Sequence, residues 1–170
     1  MNKIKIKKIA MAASFTAVIA ATAWVSIPTP FGVNLAFSLF GVCLAAFCLD
    51  AKSAIAATIV YIALGAVGLP VFSQFMGGFG VLFGTSGGFL WGFIPLAALC
   101  SIAKKKESKG IKYLLMISSV LLCHILGVAQ FCVVSGNGLL VSFLSASLPF
   151  LLKDLILVFV AELVARRIKI

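Results

Sequence analysis

Apolar residues gather in six long runs along the chain, at positions 9–27, 35–49, 53–69, 87–103, 111–134 and 149–168, each bounded by proline, glycine or charge. A bilayer core of about 30 Å takes roughly 20 apolar residues per crossing helix. The pattern therefore predicts an all-α membrane protein with six transmembrane helices. The second and third runs fall short of that length, so tilting or local irregularity is expected there. A further apolar segment, 139–147, carries Ser142, Ser145 and Ser147 and is too short to span. It reads as an interfacial or re-entrant helix before the sixth crossing. No internal repeat or linker divides the chain, so residues 1–170 are read as one integral membrane domain.

The connections between runs alternate in charge. The stretch 28–34 is uncharged, Asp50-Ala51-Lys52 is charged, the Gly-rich loop 70–86 between the third and fourth helices is uncharged, and Lys104-Lys105-Lys106-Glu107-Ser108-Lys109 is strongly basic. The connection around Gly136-Asn137-Gly138 is again uncharged. Because basic residues stay on the cytoplasmic side during insertion, both termini are predicted to be cytoplasmic and the Gly-rich loop to lie outside. The N-terminal lysines followed by an apolar run resemble a secretory signal. With further spans behind it, that run reads as a first transmembrane helix.

Composition agrees and excludes other classes. With 63% hydrophobic residues, a mean hydropathy of +1.24 and 14 Lys+Arg against 4 Asp+Glu, the chain is far from the roughly one-quarter charged composition of soluble domains. A net charge of +10 would suit nucleic acid only if the cations formed a polar face. Here they flank apolar runs instead, so no nucleic-acid partner is expected. On the predicted topology Lys153 is the only basic residue, and Asp154 the only acid, away from the cytoplasmic half. The five cysteines lie inside apolar stretches without a C-x-x-C pair, so neither a zinc site nor a disulfide frame is expected. His124 reads as a helix-packing polar residue hydrogen-bonded to a neighbour, and is given no function.

Three constellations stand out. An ionisable residue inside a span is a functional candidate, since placing it there costs about 2.5–3.5 kcal/mol on insertion scales. Asp154 lies about 7.5 Å into a helix beginning at Pro149. Adjacent helix positions diverge by about 100°, so no mutual Lys153–Asp154 ion pair is expected, and each side chain seeks another partner. The alternative is structural: Lys153 reaches the outer interface while Asp154 sits favourably at the positive helix start. The second constellation, the Gly-rich run from Gly77 to Gly92, suits the roof of a pocket, because irregular backbone at membrane depth must be covered or line a cavity. Gly84, Gly88 and Gly92 also fit close helix packing. The run lacks the G-K-[ST] ending of a nucleotide loop. The third is the stripe Ala13, Ala17 and Ala21, either a smooth surface for a partner helix or ordinary internal packing.

These residues resemble a known family. Tyr61-Ile62-Ala63-Leu64-Gly65-Ala66-Val67-Gly68-Leu69-Pro70-Val71-Phe72, then Gly77-Gly78-Phe79-Gly80-Val81-Leu82-Phe83-Gly84, Thr85-Ser86-Gly87-Gly88-Phe89 and Gly92-Phe93 are similar to the pattern of the BioY biotin transporters. These are the substrate-binding S components of energy-coupling factor (ECF) importers. The resemblance extends to Phe40-Gly41-Val42 and to Pro149-Phe150 with Asp154. In two places the chain departs from the family pattern. Gly84-Thr85-Ser86 and Phe89 stand where the family has a proline before the Gly-Gly segment and a tyrosine after it, and Leu157 occupies the place of a lysine three residues beyond the aspartate.

The resemblance implies biotin uptake across the bacterial cytoplasmic membrane, with biotin bound on the outer side, no chemistry of the protein's own and no cofactor. It also implies a transmembrane T component and two ATPase subunits as partners, with Ala13, Ala17 and Ala21 as the docking stripe; a homo-oligomer is an alternative arrangement. Biotin's polar ureido ring, apolar thioether ring and carboxylate tail then suggest roles. Asp154 takes the ureido N–H groups and Lys153 the carboxylate. Phe31, Phe79 and Phe89 form apolar walls, Gly78 and Gly80 belong to the roof, and Gln74, Thr85 or Ser86 serve the remaining polar atoms. The competing readings are an S component for thiamin or riboflavin, and a membrane sensor or assembly subunit that transports nothing.

Overall fold

A computed structural model describes residues 3–29 and 33–168. Among these residues the chain forms eight α-helices and one two-residue β-hairpin: α1 (Lys3–Trp24), β1 (Ser26–Ile27), β2 (Leu35–Ala36), α2 (Ser38–Cys48), α3 (Ala51–Ala66), α4 (Phe79–Leu82), α5 (Gly87–Lys104), α6 (Lys109–Ser135), α7 (Leu139–Ala146) and α8 (Leu148–Arg167). The six long apolar runs correspond to α1, α2, α3, α5, α6 and α8, and the short segment before the last run is α7.

Length and composition suffice for a membrane crossing in α1, α5 and α6. Helices α2 and α3 have 11 and 16 residues, below the roughly 20 of a straight crossing. Helix α8 has 20 residues and carries Lys153, Asp154, Glu162, Arg166 and Arg167.

Helix α2 is the centre of the bundle. Nearly every residue from Ser38 to Phe47 is buried, and the helix packs against α1, α3, α5 and α8. A helix apolar on all sides needs such enclosure. Helices α5 and α6 pack closely because Gly88 and Gly92 face α6: a Cβ at Gly88 would lie 2.3 Å from the Leu126 carbonyl oxygen, and one at Gly92 2.9 Å from the Cys123 Cα. The small-residue spacing read in the sequence is therefore used for packing at these two positions.

Most of the charged contacts collect at one end of the bundle. Lys8 meets Asp50 at 3.3 Å, and the Asp50 carboxylate caps α3 by accepting from the Ser53 backbone N–H. Lys104 donates to the carbonyls of Cys48 and Leu49 at 3.3 and 3.2 Å, placing a cation on the negative end of α2. Glu162 pairs with Arg166 at 2.6 Å, as its one-turn spacing predicts, and also with Lys112. This clamp joins α8 to α6. The opposite end holds the hairpin, the loop 67–78, α4, α7 and the start of α8.

Candidate functional site

At that opposite end, between β2, α2, α3, α5, α6 and α8, lies a cavity of about 70 Å³. Its polar lining is Asn34, Ser38, Ser73, Ser86, Lys153 and Asp154, and its aromatic lining is Tyr61, Phe72, Phe89, Phe93 and Phe150. The volume is below the roughly 300–1,000 Å³ of pockets that bury small ligands.

The covering segments are tied to α1 and to each other. Gln74 donates from its backbone N–H to the Ser26 hydroxyl at 3.1 Å and from its side chain to the Ser26 carbonyl and hydroxyl. The Trp24 indole donates to the Pro70 carbonyl at 2.8 Å and stacks on Phe75. Asn34 donates to the Ser73 hydroxyl at 3.3 Å. Gln74 and Phe75 are held at φ 59° and 56°, a left-handed conformation that costs an L-residue roughly 1–2 kcal/mol and persists here through those tethers. Gly78, at φ 98°, turns the chain into α4.

The floor is ionic. Asp154 is 6% exposed and sits in the second turn of α8, whose first turn contains Pro149. Its Oδ2 lies 3.2 Å from Nε2 of His124 and its Oδ1 2.9 Å from the Lys153 ammonium. This corrects the expectation that the neighbours form no ion pair. The Cβ directions do diverge, but the four-carbon lysine stem curls back around the helix. Lys153 also finds a second partner, the Ala36 carbonyl, and lies 5.6 Å from the Phe37 ring centroid. Its contact with Oδ1 is ionic without hydrogen-bond geometry, because Oδ1 is buried and has no hydrogen-bond partner among the described residues. The Tyr61 hydroxyl is buried and unpartnered in the same way, its ring edge-on to Phe72 at 5.5 Å.

Of the residues singled out from sequence, Asp154, Lys153, Ser86 and Phe89 line the cavity. Gln74, Gly78, Phe79, Gly80 and Thr85 do not: Gln74 faces Ser26, and Phe79 is 63% exposed. Phe31 lies outside the described residues. Ala13, Ala17 and Ala21 form an exposed stripe on α1, while Phe15, Thr16, Ile19, Ala20 and Ala23 turn inward. The sequence reading missed Asn34, Tyr61, Phe72 and Ser73, and it placed His124 among packing residues without its link to Asp154.

The BioY family model matches residues 1–170. The chain is 38% identical over 167 residues to the biotin transporter BioY of Thermotoga maritima, covering 96% of each chain. It is 32% identical over 170 residues to that of Rhodobacter capsulatus, covering 91% of this chain and 88% of the relative. In fold it is similar to the crystal structure of the S-component for biotin from an ECF-type ABC transporter, with a TM-score of 0.87 and 24% identity over 98% of this chain and 93% of that one. A family pattern matched from end to end, on a helical bundle whose polar floor sits at one end, means that the chain belongs to the BioY family.

Proposed function

We propose that this membrane protein takes up biotin as the substrate-binding component of an ECF-type importer. The observation that carries the reading is that two buried polar groups without a hydrogen bond among the described residues, Asp154 Oδ1 and the Tyr61 hydroxyl, belong to residues lining one cavity. Buried polar groups are almost always hydrogen-bonded, and a ligand with donors and an acceptor completes this pair. The relatives' names as biotin transporters support the choice of ligand.

Biotin's ureido ring carries N–H donors beside a carbonyl acceptor. In the proposed pose an N–H meets Asp154 Oδ1 and the carbonyl meets the Lys153 ammonium. Because the two charged groups stand 2.9 Å apart, they serve the same end of the ligand. The carboxylate lies a whole valerate chain away, so Lys153 moves from the carboxylate to the ureido group. The apolar ring packs on Phe72, Phe89 and Phe93. The carboxylate then faces the half-buried Asn34, Ser73 and Ser86, where partial hydration avoids the cost of burying an unpaired charge.

The six-span arrangement, with both termini cytoplasmic, puts this end of the bundle outside and the Lys8, Lys104 and Lys112 end inside, in the cytoplasmic membrane of a bacterium. The exposed Ala13, Ala17 and Ala21 stripe is smooth enough for close approach by a transmembrane T component, with two ATPase subunits supplying the energy. An uptake assay with labelled biotin in a transport-deficient bacterium tests this. Uptake that rises when the coupling subunits are co-expressed is expected; no uptake under either condition defeats the proposal.

A further inference from the structure

We infer that His124 is a positioning residue for substrate recognition, holding the Asp154 carboxylate so that Oδ1 is presented to the cavity. The inference rests on the proposed role of Asp154 in binding the ligand. His124 is 3% exposed and sits on α6, where a buried imidazole must satisfy both ring nitrogens. It does so across two other elements. Nε2 lies 3.2 Å from Asp154 Oδ2 on α8, and Nδ1 lies 2.8 Å from the hydroxyl of Ser147 at the α7–α8 junction.

The bonding partners fix the tautomer. An ionised carboxylate only accepts, so Nε2 carries the hydrogen and donates to Oδ2. In the neutral ring Nδ1 then accepts, and the Ser147 O–H donates to it. Phe89 stands edge-on to the ring at a centroid distance of 5.5 Å and an interplanar angle of 87°. Phe89 is itself backed by Gly127, where a Cβ would lie 2.4 Å from the Phe89 ring.

The two oxygens of Asp154 are thereby made unequal. Oδ1 lies 2.9 Å from the Lys153 ammonium, a cation with three donors, and a carboxylate free to rotate would turn to take full hydrogen bonds from it. Oδ2 is instead held by His124, which fixes the carboxylate plane. Oδ1 stays beside the ammonium without hydrogen-bond geometry, leaving its lone pairs for a ligand N–H. Without the imidazole, Oδ2 loses its buried donor, and the carboxylate is free to turn so that Lys153 takes the Oδ1 lone pairs that a ligand N–H would use.

Side-chain isosteres separate this role from plain packing. The amide of glutamine reaches the place of Nε2 and that of asparagine the place of Nδ1. Biotin is titrated calorimetrically into detergent-purified full-length His124→Gln, His124→Asn and Asp154→Asn variants, and each is melted without ligand. His124→Gln is expected to bind within about threefold of the native chain. His124→Asn, which keeps only the Ser147 bond, is expected to bind at least tenfold more weakly, the scale of one hydrogen bond to a charged group, while melting within a few degrees of His124→Gln. Equal affinities for the two histidine variants, or affinity losses that simply follow lost thermal stability, overturn the inference. If Asp154→Asn alone abolishes binding, the site stands without the positioning role; if Asp154→Asn binds as the native chain does, the site itself fails.

Discussion

Replacing Tyr61 by phenylalanine removes one oxygen atom and leaves everything else in place. The ring is 1% exposed and packs edge-on against Phe72, a contact phenylalanine keeps. The hydroxyl has no hydrogen-bond partner among the described residues, and leaving a buried polar group in that condition costs about 1–3 kcal/mol. Deleting it should therefore raise the stability of the ligand-free protein by about 1 kcal/mol or more. For a chain of this size that is roughly 2–4 °C in melting temperature per kcal/mol. If the hydroxyl is there for the ligand, biotin loses one neutral hydrogen bond worth about 0.5–1.5 kcal/mol, so Kd should rise about two- to tenfold. The two effects have opposite signs, and they are read by thermal melting without biotin and by calorimetric titration with it. A lower melting temperature would mean that the hydroxyl already has a protein partner, and an unchanged Kd would take Tyr61 out of the site.

Gly92→Val should lower the melting temperature, because its Cβ would meet Cys123 Sγ at 2.8 Å and Cys123 Cα at 2.9 Å and the backbone cannot yield; a cost of about 1–3 kcal/mol or more is expected, and unchanged melting would contradict the close α5–α6 contact. Glu162→Gln deprives Lys112, whose side chain is 15% exposed, of its counter-charge. Breaking a fully buried pair costs about 3–5 kcal/mol, and the nearness of both cations to water reduces this to about 1–3 kcal/mol, read as easier unfolding with biotin affinity preserved. Ala17→Trp should block co-purification with the T component while leaving biotin affinity within about twofold, since the residue is exposed and does not line the cavity; intact assembly would assign the stripe to lipid contact.

The helices were legible in the sequence because lipid exposure and mutual packing both demand long apolar runs. Helix ends were less so: α1 begins at Lys3 and α6 at Lys109, six and two residues before the respective apolar runs, since lysine is a good helix former and a helix continues beyond the apolar layer. The hairpin β1–β2 and helix α4 are too short to leave a periodic trace. At the site, Asp154 and Lys153 announced themselves as charges in an apolar run. Tyr61 reads like any core aromatic, and only its unpartnered hydroxyl distinguishes it. Gln74 and Phe79 share the Gly-rich loop with Ser86, but which side of a loop faces a cavity is set by tethers such as Gln74 to Ser26, and these pair residues far apart in sequence. The ion pair between Lys153 and Asp154 is not legible from backbone direction alone, because a flexible lysine stem reaches around the helix.

The most direct test of the account is a calorimetric titration of the purified, unmodified chain with biotin, and with thiamin and riboflavin in parallel. Saturable one-to-one binding of biotin that neither of the other vitamins displaces is expected. Binding of thiamin or riboflavin in its place, or no biotin binding at all, would contradict it.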